Sequence, residues 1–327
     1  MSEGYQDIAG RILSGRPLTD DEAYALGLRV AQARGEEILA LTAAANQLKE
    51  ARFPGTMSLC SIVNAKSGRC SEDCKFCAQS AHHDTSCNQY PFIDLQKILA
   101  AASAMRQAGA GRFAVVTSGK GLTGQDFELL LQAIRGIRDL GLAADASVGI
   151  LDLEQLQALK NAGLLAYHHN LETARSFFPQ VCTSHAYDED VATVRAALDA
   201  GLHVCCGGLF GLGEGWGHRV ELALELRELG VHSVPVNFLT PIPGTPYEHR
   251  EVMPPEEALR IVALLRFILP EKHIRICGGR PAVFGSRRAE ALTCGASGLM
   301  IGDYLTTRGE AAASDLDDLG RLGLKPE

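Results

Sequence analysis

The chain has 327 residues, 46% of them hydrophobic, a formal net charge of −8 and ten cysteines. That apolar content is ample for a sizeable core, and the length suits one large domain or two ordinary ones. The acidic balance, with Lys and Arg scattered singly or in pairs, excludes a nucleic-acid binder, which needs clustered cations against phosphate. Residues 1–11 have neither the basic start nor the apolar run of a signal peptide. No stretch approaches the roughly 20 apolar residues of a membrane span. A cytoplasmic location with no membrane partner is therefore expected, and in reduced cytoplasm ten cysteines point to metal or thiol chemistry more than to disulfides.

In chain order, residues 1–53 read as a helical extension. Thr19 with Glu22 three places on makes a capping box before one helix, and 36–49, rich in Ala and Leu, reads as another. After Pro54, short apolar strands alternate with amphipathic helices. Strands are predicted at 57–64, 112–117, 142–148, 164–170, 202–206, 232–238, 274–277 and 298–301. Between most of them lies a helix with a side-chain cap or Pro in front and glycine behind. These helices run from Asp94 to near Gly109, Thr123 to near Gly141, Asp152 to Gly163 and Asp188 to Gly201, with others starting at Pro254–Pro255 and at Ser286.

Eight strand–helix repeats across 54–307 give fold class α/β, a closed (β/α)8 TIM-type barrel, with a doubly wound open sheet as the alternative. Pro235 inside a predicted strand is an objection, because proline cannot donate to a ladder. Residues 308–327 are polar and read as an irregular C-terminal tail.

Cys70-Ser-Glu-Asp-Cys74-Lys-Phe-Cys77 follows the first predicted strand, which puts it in a loop at the C-terminal face of a barrel, where barrel active sites form. Three thiolates this close can hold three irons of a four-iron cluster and leave the fourth iron open. Structural zinc more naturally uses two separated Cys-x2-Cys pairs or a Cys/His set. On spacing alone, zinc binding and plain buried cysteine stay as alternatives.

The Cys-x3-Cys-x2-Cys spacing resembles the radical S-adenosylmethionine superfamily. The flanking Asn64-Ala-Lys-Ser-Gly-Arg-Cys70 and Cys77-Ala-Gln-Ser-Ala-His82 are similar to the biotin synthase family. Further matches run from about Thr56 to Thr307: Tyr167-His-His-Asn-Leu-Glu-Thr173, Gly207-Gly-Leu-Phe-Gly-Leu-Gly-Glu214, Ser233-Val-Pro-Val-Asn237 and Leu305-Thr-Thr307. Taken without the family, the glycine-rich segment is a weak signal that tight turns also explain.

The resemblance implies a [4Fe-4S] cluster on Cys70, Cys74 and Cys77, whose open iron chelates S-adenosylmethionine and whose electron cleaves it to a 5′-deoxyadenosyl radical. It implies that Phe76, Asn170, Glu172, Gly207, Gly211 and Glu214 bind this cofactor, and that Asn170, Asn237, Thr306 and Thr307 bind dethiobiotin. No side-chain general base is called for. An external electron donor such as flavodoxin or ferredoxin, two S-adenosylmethionine molecules per product and a homodimer also follow from it. Strand parity agrees: His168 with Asn170, and Ser233 with Asn237, point to common faces.

The family also implies an auxiliary cluster deep in the barrel, usually [2Fe-2S] on three cysteines and an arginine. Two of those cysteine positions are Ala114 and Asp145 here, and only Cys205 and Arg275 persist. Cys60 on the first strand and Cys277, two residues beyond Arg275, offer replacements. Cys205 and Cys206 must face opposite sides, and the glycine segment selects Cys205 as the inward one. Cys60, Cys205 and Cys277 would then hold an auxiliary iron–sulfur cluster with Arg275 beside it, a four-iron type being favoured over two-iron. Buried hydrophobic thiols are the alternative.

Cys182 is a further candidate ligand, and Cys87 and Cys294 read as structural. Asp190 stands where relatives tend to carry an arginine near the S-adenosylmethionine carboxylate. Other readings are a hydrogenase-cofactor maturase or a methylornithine-forming mutase, and, in a different class, a non-catalytic electron carrier or zinc-stabilised binding protein.

Overall fold

The structure, a computed structural model, describes residues 3–327. Three helices come first: α1 (Tyr5–Leu13), α2 (Asp20–Gln32) and α3 (Glu36–Arg52). The capping box expected at α2 is present, with Glu22 N–H donating to Thr19 Oγ1 at 3.3 Å and Thr19 N–H to Glu22 Oε2 at 2.9 Å. Then strands and helices alternate: β1 (Thr56–Lys66), α4 (Leu95–Gln107), β2 (Arg112–Thr117), α5 (Gly124–Asp139), β3 (Ala143–Ser147), α6 (Leu153–Ala162), β4 (Ala166–His168), α7 (Tyr187–Asp199), β5 (His203–Cys205) and β6 (Gly208–Phe210). The second half follows: α8 (Trp216–Leu229), β7 (Ser233–Phe238), α9 (Pro255–Ile268), β8 (His273–Ile276), α10 (Arg280–Phe284), α11 (Arg288–Ala291), β9 (Gly298–Met300), α12 (Ala312–Arg321) and β10 (Lys325–Pro326).

All pairings are parallel, in the order β1-β2-β3-β4-β5-β7-β8-β9, and β9 pairs back to β1 through Ser58↔Gly298 and Cys60↔Met300. The ring is closed, as the eight-repeat reading expects, and the open sheet is excluded. The N-terminal helices lie outside the ring. Arg260 on α9 donates to the Val30 and Ala31 carbonyls at the end of α2, placing a cation where a helix exposes unpaired acceptors. Arg266, further along the same helix, is fully buried and donates to the carbonyls of Gly295, Leu269, Pro270 and Lys272.

Parity within each strand divides the chemistry. Phe113, Val115, Tyr167, Val204, Val234 and Ile274 enter the hydrophobic layer between strands and helices. Their neighbours Arg112, His168, Cys205, Ser233 and Arg275 line the interior instead. Cys206 belongs to the hydrophobic layer, as does Cys294, while Cys205 does not.

Three sequence expectations need correction. Residues 308–327 are not irregular: α12 packs on the barrel through buried Asp315, which pairs with buried Arg280 at 2.7 Å, and through Leu319. The following β10 adds beside β1 at Thr56↔Lys325. The acidic composition of α12 hides this buried face. The helix expected from Ser286 is only the four-residue α11, and an unforeseen α10 precedes it, ended at Gly285 with its φ of +48°.

The fifth strand is also split, into β5 and β6, because Gly207 passes against the next strand; a Cβ there would lie 2.2 Å from the Pro235 carbonyl oxygen. β5 meets β7 only at Cys205↔Ser233, so Pro235 stands where that ladder has already ended and its missing N–H is tolerated. Gly207→Ala is expected to force this contact apart and to destabilise the fold by about 1–3 kcal/mol, read as a lower urea midpoint.

Candidate functional site

The loop after β1 is held by its own backbone. Cys70 N–H donates to Gln79 O at 3.0 Å, Ala81 N–H to Cys70 O at 2.8 Å and Cys77 N–H to Cys74 O at 2.9 Å, while Ser80 Oγ donates to Glu72 O at 2.6 Å. Lys75 N–H reaches Val181 O across the mouth. Arg69, immediately before Cys70, has a φ of +52°, and Glu172 opposite has +60°; they alone among the described non-glycine residues are left-handed.

Cys70, Cys74 and Cys77 are unbridged and half-buried, and they line one cavity of about 250 Å³ with Phe76, Asn170 and Glu172. Burial pushes the Cys77 thiol up to about 11. The hydrogen bond to Cys182 and then burial raise Cys74 as well.

Glu172 is pushed up to about 7 by burial, against the opposing hydrogen bond from Asn170. Asn170 Oδ1 accepts from Gly207 N–H at 3.2 Å. The Glu172 carbonyl accepts from Leu209 N–H at 2.8 Å, and a Cβ on Gly208 would sit 2.5 Å from that carbonyl oxygen. Gly208 therefore lets β6 approach the segment carrying Asn170 and Glu172.

Gly207, Gly211 and Glu214 do not line this cavity among the described residues. Glu214 turns back on its own loop, accepting from Gly211 N–H at 3.1 Å, Leu212 N–H at 2.8 Å and Arg219 Nε at 2.8 Å.

Beside it lies an upper cavity of about 270 Å³ lined by Phe76, Asn170, Asn237, Leu239, Thr306 and Thr307. Asn237 Oδ1 accepts from Gly278 N–H at 2.9 Å and its Nδ2 donates to Gly208 O at 3.3 Å, which leaves one N–H and one lone pair for another molecule.

Lower in the barrel, Cys60 from β1, Cys205 from β5, Arg275 from β8 and Cys277 just beyond it line one cavity of about 280 Å³. All four are buried. Arg275 Nε donates to Ser233 Oγ at 2.9 Å, and its Nη atoms to Ser58 O at 3.2 Å and Ser58 Oγ at 3.0 Å. Burial raises the thiols of Cys60, Cys205 and Cys277, Cys205 to about 11, while the Arg275 charge opposes this in each.

Ala114 is buried and offers no ligand, and Asp145 is committed elsewhere. Arg112 holds both Asp145 oxygens, at 2.9 and 2.8 Å, and His168 Nε2 lies 3.2 Å away. Burial disfavours the Asp145 charge, but His168 and Arg112 outweigh it and hold its carboxyl below the ordinary range.

Sequence reasoning missed the network behind the triplet. Cys182 Sγ lies 3.7 Å from Cys74 Sγ, 3.2 Å from Asp73 Oδ1 and 3.4 Å from His185 Nδ1. His185 Nδ1 is 2.6 Å from Glu72 Oε2 and its Nε2 is 3.2 Å from Asp190 Oδ2, while Asp190 Oδ1 meets His169 Nε2 at 2.9 Å. Asp190 and then Cys182 raise His185 to about 11. The carboxylate at 190 is thus tied to two histidines. The proximity of Cys182 to His185 in sequence was the available signal; the bridge to Glu72 spans over a hundred residues.

Two family models match the chain: the radical SAM superfamily over residues 65–226, and the biotin and thiamin synthesis associated domain over 235–325. A biotin synthase of Trichlorobacter lovleyi is 49% identical over 319 residues, covering 97% of this chain and 95% of that protein. One of Nitratidesulfovibrio vulgaris is 48% identical over 317 residues, covering 94% of this chain and 86% of that protein. Among solved structures, a methylornithine synthase superposes with a TM-score of 0.83 at 18% identity, covering 98% of this chain and 97% of that one. An FeFe-hydrogenase maturase of Carboxydothermus hydrogenoformans gives 0.80 at 19%, covering 99% and 79%. These last two report on the fold alone.

Because the hydrogen bond to Cys182 raises the Cys74 thiol and burial raises that of Cys77, metal binding there must displace protons. Iron uptake by cluster-free protein, followed under anaerobic conditions, is therefore expected to strengthen from about pH 7 to pH 9, with proton release on loading. Uptake independent of pH would contradict the raised thiols.

Proposed function

The chain belongs to the biotin synthase family of the radical S-adenosylmethionine superfamily, and from that premise we propose that it inserts sulfur into dethiobiotin, with the sulfur drawn from a cluster inside the barrel. The observation that carries the reading is the arrangement of two cysteine sets around one substrate-sized space. Cys70, Cys74 and Cys77 face the C-terminal mouth, Cys60, Cys205 and Cys277 lie below, and Cys277 borders the upper cavity as well as the lower. Both sets fit iron–sulfur clusters: each is three soft, unbridged thiols on separate turns or strands, next to a space left for inorganic atoms. When bound, the upper cluster with S-adenosylmethionine supplies a carbon radical that abstracts hydrogen, and the lower one supplies sulfur.

The chain's own residues bind, orient and exclude water. Glu172, whose carboxyl burial pushes up to about 7, favours its ionised form once a cationic cofactor arrives. Asn170 holds the glycine segment against that carboxylate. Phe76, with Leu209 and Leu239, supplies an apolar wall that keeps water from a reactive intermediate. The free donor and acceptor of Asn237, with Thr306 and Thr307, offer polar contacts for dethiobiotin.

A four-iron auxiliary cluster is favoured over a two-iron one. Ala114 has no ligand atom, Asp145 is paired with Arg112 and hydrogen-bonded to His168, and three thiolates leave one iron open. An external electron donor of flavodoxin or ferredoxin type and a homodimer complete the proposal. Among the described residues no helix is long and apolar enough to cross a membrane.

The test is an anaerobic assay with dethiobiotin, reductant and S-adenosylmethionine, with iron and sulfide measured before and after. About eight irons per chain and biotin formation are expected. A two-iron spectrum beside a single four-iron cluster overturns the four-iron auxiliary site, and no biotin despite two intact clusters overturns the substrate. Replacing Cys60, Cys205 and Cys277 together by alanine is expected to halve the iron, abolish biotin formation and leave cleavage of S-adenosylmethionine intact.

A further inference from the structure

The lower cavity has its own opening, at the end of the barrel opposite the triplet. Besides the deep cysteines it is lined by Arg112, His203 and His273, the first residues of β2, β5 and β8, and by Gly111 and His232 just ahead of their strands. His203, His232 and Gly111 are exposed, whereas Cys60, Cys205 and Cys277 at the other end of the same cavity are buried. The rings of His203 and His232 stack at 4.4 Å between centroids and form one side of the rim. Barrel interiors are ordinarily plugged by layers of branched apolar side chains. Here the lowest layer is polar and leaves a space of about 280 Å³.

The upper and lower cavities share only His168, Pro235, Cys277 and Met300. These residues are the partition at which an auxiliary cluster would sit. Anything arriving from above must pass the space assigned to cofactor and substrate; anything arriving from below passes only the rim, where Glu327 lies with the two histidines and Gly111. At the deep end of this cavity the charges favour a small anion, and Glu327 is the acid at its rim. Asp145 is matched by Arg112, which holds both its oxygens, while buried Arg275 is hydrogen-bonded only to neutral oxygens of Ser58 and Ser233 and keeps its positive charge facing the three thiols.

We propose that this N-terminal mouth is the inlet through which inorganic sulfide, as hydrosulfide anion, reaches the deep cysteine site. The proposal rests on the reading of Cys60, Cys205 and Cys277 as cluster ligands. If each product removes one sulfur atom, one sulfide must return before the site can act again. Refilling is a ligand addition: hydrosulfide contributes an electron pair to metal, its proton leaves to solvent by the same mouth, and no electron changes hands. A passage below the substrate space lets this happen without emptying the top.

The experiment uses anaerobically reconstituted full-length protein without reductant, so that no turnover occurs, and follows uptake of isotopically labelled hydrosulfide into acid-labile sulfide. Filling the upper site with S-adenosylmethionine and dethiobiotin is expected to leave the uptake rate unchanged; its loss overturns the inlet and needs no variant. The pair His203→Trp with His232→Trp, which fills the rim, is expected to slow uptake by about tenfold or more, the equivalent of about 1.4 kcal/mol of added barrier. His203→Ala with His232→Ala is expected to take up label at least as fast as the unaltered protein. Equal rates in the tryptophan and alanine pairs overturn the proposal. Iron content separates this from the underlying reading: if replacing the three deep cysteines by alanine changes neither iron nor label uptake, the deep cluster itself is absent.

Discussion

Burying Arg275 inside a parallel barrel is the constraint around which the rest is arranged. A guanidinium removed from water needs every N–H satisfied and, beyond that, a compensating charge. Ser58 and Ser233 supply three acceptors toward the first need from the two flanking sides, but both are neutral. The buried carboxylate of the same cavity, Asp145, is already held by Arg112 and His168. What remains to balance Arg275 is the set of thiols at Cys60, Cys205 and Cys277, which would become anionic on binding the metal proposed for them. The deep site is thus poised electrostatically for anionic ligands, and a protein with these thiols protonated carries an unbalanced interior charge.

The same economy appears at the mouth. Asp73, Glu72 and Asp190 are three acids close to the triplet, and none faces the cavity unpaired. Asp73 accepts backbone N–H groups from Thr183 and Ser184, Glu72 meets Ser184 and His185, and Asp190 meets His169 and His185. These bonds fasten the loop bearing the cysteines to the segment after β4. The left-handed backbone at Arg69 and Glu172 shows where that fastening strains the chain, one residue before the first ligand and at the buried acid.

Much of this was legible in the sequence because it depends on local periodicity. The eight-repeat alternation, the helix caps at Thr19 and Asp152, and the opposite facing of Cys205 and Cys206 follow from repeats of two and of 3.6 residues. Other features depend on contacts remote along the chain. The break between β5 and β6 arises from the Pro235 carbonyl, and α8, which follows the glycine segment, drew no assignment. Burial of Asp315 needs Arg280 as its partner, which makes α12 a packed helix in spite of its acidic text. Glu214 matched a family motif yet serves its own turn, since a motif gives residue types and not the direction in which a side chain finally points.

The seam of the ring has a consequence for how the protein is made. β1, the first barrel strand to be synthesised, completes its pairing only with β9 and β10, through Gly298 and Lys325. Closure of the barrel therefore waits for residues more than two hundred positions downstream, a contact of high sequence separation that folds late. Cys60 stands on that seam opposite Met300. During translation the deep cysteines are apart and exposed, and they converge only once the nascent chain has passed β9. The metal loading proposed for the interior would for this reason be a step of maturation that follows synthesis, with these thiols kept reduced over the interval.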